Sequence, residues 1–244
     1  IDLLDEACST AAAMEPMCDI FHAGGPFALV TAYGYGGGQG SILEPLSDYP
    51  QAGSFSDTEY WNVEAQANNA TFGGKLYFAI PLEVGFGQVA YNQVTFFNKD
   101  LCARAGYEAD RLYEMSKNGE WTFDKLYEIG REFADDTNGD GTMDYNDTWG
   151  LVSATGDAVH FYIGAGEKLC TKDENDNPIL AIGSDSSISV SQKILSTLQS
   201  NNWVSFAQDL TSQGVAASDI WDVTLSIFGE GRAPFRVTAF SAIK

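Results

Sequence analysis

The chain has 244 residues, 44% of them hydrophobic, and carries 34 Asp and Glu against 13 Lys and Arg, a formal net charge of −21. That length allows a sizeable apolar core in one or two domains, while the acidic excess removes the basic footprint that nucleic acid and anionic membrane surfaces need. No run is long and apolar enough for a membrane helix, and Cys8, Cys18, Cys102 and Cys170 contain no C-x-x-C pair, which argues against a zinc or thioredoxin-type site and leaves their pairing open.

The Ala-rich stretch Leu3 to Met17 favours helix and ends near Pro16. Asp19-Ile20-Phe21-His22 then reads as a strand that opens at Gly24-Gly25, and in open α/β sheets such strand ends face a ligand cleft. His22 is therefore a candidate cleft residue, with a structural histidine as the alternative. The glycine-rich segment Ala32 to Gly40 has neither G-x-G-x-x-G before a helix nor GK[ST], so it is read as a loop from which Tyr33 and Tyr35 could reach a ligand. Ser56 with Glu59 forms a capping box that predicts a helix carrying Tyr60, Trp61 and Val63 and ending before Gly73. Leu76 to Ile80, between Gly73-Gly74 and Pro81, predicts a buried strand, and Val89 to Tyr91 with Val94 to Phe97 predicts a second. The crossing Leu82 to Gly87 holds one carboxylate, one aromatic ring and two glycines.

Beyond it, Asn98 to Gly106 predicts a short helix with Gly106 as its C-cap. Thr122 caps the next helix, whose Phe123, Leu126, Ile129 and Phe133 form one buried stripe, and Trp121 just ahead is read as a packing residue. Asp136 to Asp147 places oxygen donors at loop positions 1, 3, 5, 9 and 12 and glycine at 6, the spacing of an EF-hand calcium loop. The expected ligands are Asp136, Asn138, Asp140, the Thr142 carbonyl, Asp144 and Asp147, around a structural Ca2+. Two departures stand out: position 12 is Asp rather than Glu, and a strand at Thr148 to Val152 replaces the exiting helix. A solvated turn is the plain alternative, since Asp, Asn and Gly dominate turns. Thr155 to Phe161 starts another helix, where Asp157 either accepts ligand hydroxyls or caps the helix. Cys170 to Pro178 is an acidic hairpin tip, and helices follow at Ile188 to Leu198 and Ser218 to Phe228.

Several of these stretches together resemble the extracellular solute-binding proteins of ABC importers, in the family 1, maltose-binding-like group. They are Gly74-Lys75-Leu76-Tyr77 with Pro81 and Tyr91-Asn92; Asn98-Lys99-Asp100-Leu101; Trp121 to Leu126; the Asp140 to Asp144 loop with Thr148-Trp149-Gly150; and Phe228 to Phe235. The resemblance covers roughly residues 60 to 240. It implies an α/β, class II periplasmic-binding-protein-like fold of two α/β lobes with the ligand cleft between them. The first lobe, 1–84, would be incomplete and the second would span 85–244, with the crossover near 81–88. It also implies an internal portion of a longer, exported protein, extracellular and lipid-anchored or periplasmic, monomeric, binding an oligosaccharide and docking on permease subunits. On that resemblance Phe86 and Phe240 would stack on sugar rings, with core packing the alternative for Phe240, while Glu83, Asp157 and His160 would supply polar contacts beside the candidates His22 and Tyr35 named above. Some alginate-binding members of the resembled family carry a comparable calcium loop away from the sugar, which implies a structural role for the ion. No catalytic motif emerges, so the expectation is a binding protein rather than an enzyme. The alternatives are a secreted, calcium-stabilised carbohydrate-active enzyme and, more remotely, a dockerin-like interaction module.

Overall fold

The computed structural model describes residues 45–48, 52–77, 79–80, 92–199 and 202–240. The chain divides into two compact units: Ile1–Glu83 with Lys172–Pro178, and Val84–Thr171 with Ile179–Lys244. No helix among the described residues is long and apolar enough to cross a membrane.

In the first unit, 3-10 turns at Leu46–Asp48 and Ala52–Ser56 precede helix α1, Val63–Asn69. The predicted capping box does not form. Ser56 Oγ donates back to the Gly53 carbonyl at 2.8 Å, closing the 3-10 turn, and the cap is Asn62, whose Oδ1 accepts from Ala65 N at 2.9 Å. Tyr60 and Trp61 thus precede the helix, and Trp61 meets Phe55 edge to face at 5.1 Å.

Two-residue strands β1, Thr71–Phe72, and β2, Lys75–Leu76, form a hairpin through Gly73 and Gly74, both left-handed with φ of 57° and 73°. The strand expected at Leu76 to Ile80 therefore stops at Leu76. Tyr77 N donates to the Ala70 carbonyl and Ile80 N to Gln66 Oε1, so these groups bond to the end of α1 rather than to a ladder. The acidic tip Lys172–Pro178 completes this unit. Lys172 Nζ is held by the carbonyls of Ala67 and Thr71 and by Asp176, a cation at the C-terminal end of α1 where the helix dipole favours it.

The second unit is a mixed α/β structure. Its sheet contains β3 (Gln93–Phe97), β4 (Leu151–Ser153), β7 (Val204–Phe206) and β8 (Phe235–Ala239) in the order β3-β8-β4-β7. β3 runs antiparallel to β8, while β4 runs parallel to both β8 and β7. The helices are α2 (Lys99–Arg104), α3 (Ala109–Lys117), α4 (Phe123–Gly130), α5 (Asp157–Gly164), α6 (Asp185–Leu198) and α7 (Ile220–Gly229). The hairpin β5–β6, Cys170–Lys172 and Pro178–Leu180, spans both units.

α2 ends at the predicted position: Gly106 is left-handed, φ 85°, and Tyr107 N donates to Cys102 O at 2.9 Å. Thr122 caps α4, its Oγ1 accepting from Lys125 N at 3.2 Å. Leu126 and Ile129 are buried in the main core, with Phe123 and Phe133 packed at its margin. Thr122→Ala is expected to lower stability by about 1 kcal/mol, read as an earlier thermal midpoint by circular dichroism, with Thr122→Ser close to wild type.

The core between sheet and helices joins Leu112, Met115, Leu126, Leu151, Tyr162, Ile194, Trp203 and Phe235. At its centre Trp203 is fully buried, meets Tyr127 at 5.2 Å and donates from Nε1 to the Thr197 carbonyl at 2.7 Å. Burial pushes the Cys102 thiol up to about 11, because the thiolate loses its hydration there. The stability gained by keeping this thiol neutral is complete below the pKa of the unfolded thiol and is lost as pH rises toward about 11. Cys102 is expected to resist alkylation at pH 9 in the native protein and to react on denaturation. Equal labelling rates in the two states would contradict that burial.

Candidate functional site

β4 ends at Ser153, and after the turn Ala154-Thr155-Gly156 helix α5 begins at Asp157. Asp157 is only 5% exposed. Its Oδ2 accepts from Ser153 Oγ at 2.8 Å and from Ala154 N at 2.7 Å. Its Oδ1 lies 3.2 Å from His160 Nδ1, one turn along the same helix face. The carboxylate is thus neither the N-cap, a position occupied by Gly156, nor freely exposed. It clamps the strand-to-helix turn and holds an imidazole. Arg236 of β8 pairs in register with Val152 of β4 and is also buried. Burial lowers its guanidinium pKa, and the nearby Asp157 charge opposes that shift.

His160 lines an open groove of about 580 Å³ on this unit. Trp121, Phe123 and Phe161 supply apolar wall, with Phe123 and Phe161 tilted at 4.7 Å. Thr95, Thr122 and Ser189 add hydroxyls, and Lys193 adds a cation paired with Asp124. Four elements far apart in sequence (β3, the start of α4, α5 and α6) therefore present aromatic faces beside hydrogen-bonding groups. Trp121 does pack as expected, 5.5 Å from Phe235, but it also forms groove wall.

Of the candidate ligand residues, Asp157 and His160 come together here. Phe240 does not line this groove; its N–H donates to the Asn92 carbonyl at 2.9 Å and its ring stacks with Phe96 at 6.5 Å. His22, Tyr35, Glu83 and Phe86 lie outside the described residues. Sequence reasoning missed Arg236 and Ser153. An arginine in the middle of the apolar run Phe235–Ala239 was the available signal, since an unpaired charge is rarely buried.

The loop 136–147 is built from its own side chains. Asp136 accepts from Gly139 N and Gly141 N at 2.7 and 2.8 Å, Asn138 from Asp140 N, Asp140 from Thr142 N, and Asp144 from Asn146 N. Gly139 and Gly141 are left-handed, φ 72° and 85°, which the tight turns require. Asp147 is fully buried; Oδ1 accepts from Thr137 N and Oγ1, and Oδ2 from Asp144 N. Burial pushes its pKa up, but the hydrogen bonds from Asp144, Thr137 and Asn138 outweigh that and hold it below the ordinary carboxylate value. Arg232 Nη1 donates to the Tyr145 and Asp147 carbonyls at 2.5 and 3.2 Å, fastening the loop to the segment before β8. Among the described residues, no three His, Cys, Asp or Glu side chains gather closely enough to hold a metal ion.

Comparison with solved structures finds a likeness to the ABC substrate-binding protein Lmo0181 from Listeria monocytogenes in complex with cycloalternan. The two share 19% identity with a TM-score of 0.43, over 82% of this chain and 43% of that one. The present chain thus spans less than half the length of that protein. No family model matches, and no curated protein matches.

Proposed function

We propose that this chain is part of the solute-recognition component of an ABC importer and that it binds an oligosaccharide. The observation that carries the reading is the groove beside α5. Its aromatic walls suit the apolar faces of pyranose rings, and its hydroxyls and imidazole suit their O–H groups, the mixture expected of a small-molecule site. The sequence stretches that resemble family 1 solute-binding proteins support the same reading. In it, ligand lies between two lobes that close by hinge motion, and the closed form docks on permease subunits outside the cytoplasmic membrane. Glu83, Phe86 and Phe240 are further proposed ligand contacts.

The test is tryptophan fluorescence during titration with neutral and acidic oligosaccharides, with calcium present, since Trp121 stands on the groove wall. A saturable change without product formation supports the reading, and Trp121→Phe should diminish it. Turnover of a sugar polymer would establish instead a carbohydrate-active enzyme. Glu83→Ala and Phe86→Ala are each expected to weaken binding at least tenfold, whereas wild-type affinity in both would remove the crossing from the site.

The loop 136–147 is proposed to take a structural Ca2+ through Asp136, Asn138, Asp140, Asp144 and Asp147 side chains and the Thr142 carbonyl. The oxygen-only donor set fits a hard cation, although the carboxylates here are turned to the loop's own N–H groups and would have to draw in around the ion. Addition of chelator at matched ionic strength is expected to lower the melting temperature. An unchanged melt would leave the loop as a self-bonded turn.

A further inference from the structure

We propose that Asp157 fixes the tautomer of His160, so that the imidazole meets the groove with Nε2 as a hydrogen-bond acceptor and selects a ligand hydroxyl that donates. The ligand half of this inference rests on the reading of the groove as a sugar site; the tautomer half does not.

Asp157 Oδ2 faces the Ala154 N–H, a group that can only donate, and also accepts from the Ser153 hydroxyl. The carboxylate is therefore used as an acceptor, with the buried Arg236 guanidinium nearby as positive charge. Oδ1 remains for His160 Nδ1 at 3.2 Å. A carboxylate acceptor at that distance requires the ring proton on Nδ1, and in a neutral imidazole this leaves the lone pair on Nε2. Nε2 has no hydrogen-bond partner among the described residues, and His160 stands on the groove wall with its side chain 44% exposed. The other charged group on that wall, Lys193, is turned to Asp124 in an ion pair.

Such a site discriminates by direction of donation. A free sugar hydroxyl donates to Nε2, an O-methyl ether at the same position cannot, and a carboxylate would set its own lone pairs against the ring nitrogen. Asp157 is thus a positioning residue: it acts on the ligand only through the imidazole. Because its clamp is made by the turn between β4 and α5, the tautomer is set by the fold before any ligand arrives.

The experiment is nitrogen-15 NMR of the imidazoles in ligand-free protein, with His22→Gln used to assign the two histidines. The expected result, in spectra recorded where the ring is neutral, is a His160 imidazole protonated on Nδ1 and bare on Nε2. Asp157→Asn, whose side-chain NH2 can donate to Nδ1, is expected to move the ring proton toward Nε2. An Nε2-protonated ring in the wild type overturns the proposal, as does an Asp157→Asn variant that folds and keeps the wild-type tautomer. Should Asp157→Asn fail to fold, the wild-type spectrum alone decides. For a binding oligosaccharide such as maltotriose, Asp157→Asn is expected to weaken affinity at least tenfold, and unchanged affinity in that folded variant overturns the ligand half. If no oligosaccharide binds, the sugar reading and with it the ligand half fall, while the NMR result still decides the tautomer.

Discussion

Gly150→Ala is expected to abolish the native fold of the second unit. A Cβ at position 150 would lie 2.4 Å from the Gly130 carbonyl oxygen, 2.5 Å from its carbonyl carbon and 2.7 Å from Trp203 Cε3. Two of those atoms are backbone, and the third belongs to a fully buried ring, so nothing cheap can move aside. Overpacking of this kind costs several kcal/mol, here upward of about 3. Gly130→Ala meets the Trp203 ring at 2.7 Å and the Gly150 carbonyl oxygen at 3.1 Å, and should be milder because no backbone atom lies as close as the 2.4 Å met at position 150. The check is thermal and urea unfolding of both variants by near-UV circular dichroism. A Gly150→Ala protein melting within a degree or two of wild type would show that the end of α4 does not approach the start of β4 this closely.

Asp147→Ala is expected to cost about 3 kcal/mol, because it removes the buried carboxylate on which three donors of the part-buried loop converge. Asp147→Asn keeps the volume but presents an NH2 toward at least one of those donors, so it should fall between wild type and alanine. Both melts should be run with chelator present, so that any contribution of bound Ca2+ is absent from the comparison. If alanine proves as stable as wild type, the carboxylate is not the keystone of the loop, and the fastening by Arg232 alone would have to account for its shape.

The parts of the fold that were legible in the sequence are those decided locally. Thr122 and the apolar stripe after it specify α4 within a dozen residues, and Asn98 with Gly106 brackets α2. The same local logic misled at Ser56, whose hydroxyl found the Gly53 carbonyl first and left Asn62 to start α1. Tyr77 and Ile80 look strand-like in isolation but spend their N–H groups on the end of a helix, a choice made by tertiary proximity. The site was half legible. Asp157 and His160 share a helix turn and can be paired by spacing, whereas Thr95, Trp121, Ser189 and Lys193 join His160 on one groove wall only in the folded chain. The burial of Asp147 was also hidden, since an aspartate in a loop of aspartates carries no mark that says it faces inward.

The hairpin tip Lys172–Pro178 bears on how this chain can be dissected. Because that tip belongs to the first unit while the sequence before and after it belongs to the second, no single scission yields two intact pieces. Truncation near residue 84 removes the Ala67 and Thr71 carbonyls and leaves Lys172 without its seat. A workable dissection must therefore replace 172–178 with a short neutral turn as well as cut the chain. For the same reason, a protease that nicks the tip should loosen the first unit, although the cleaved bond lies about a hundred residues further along the chain.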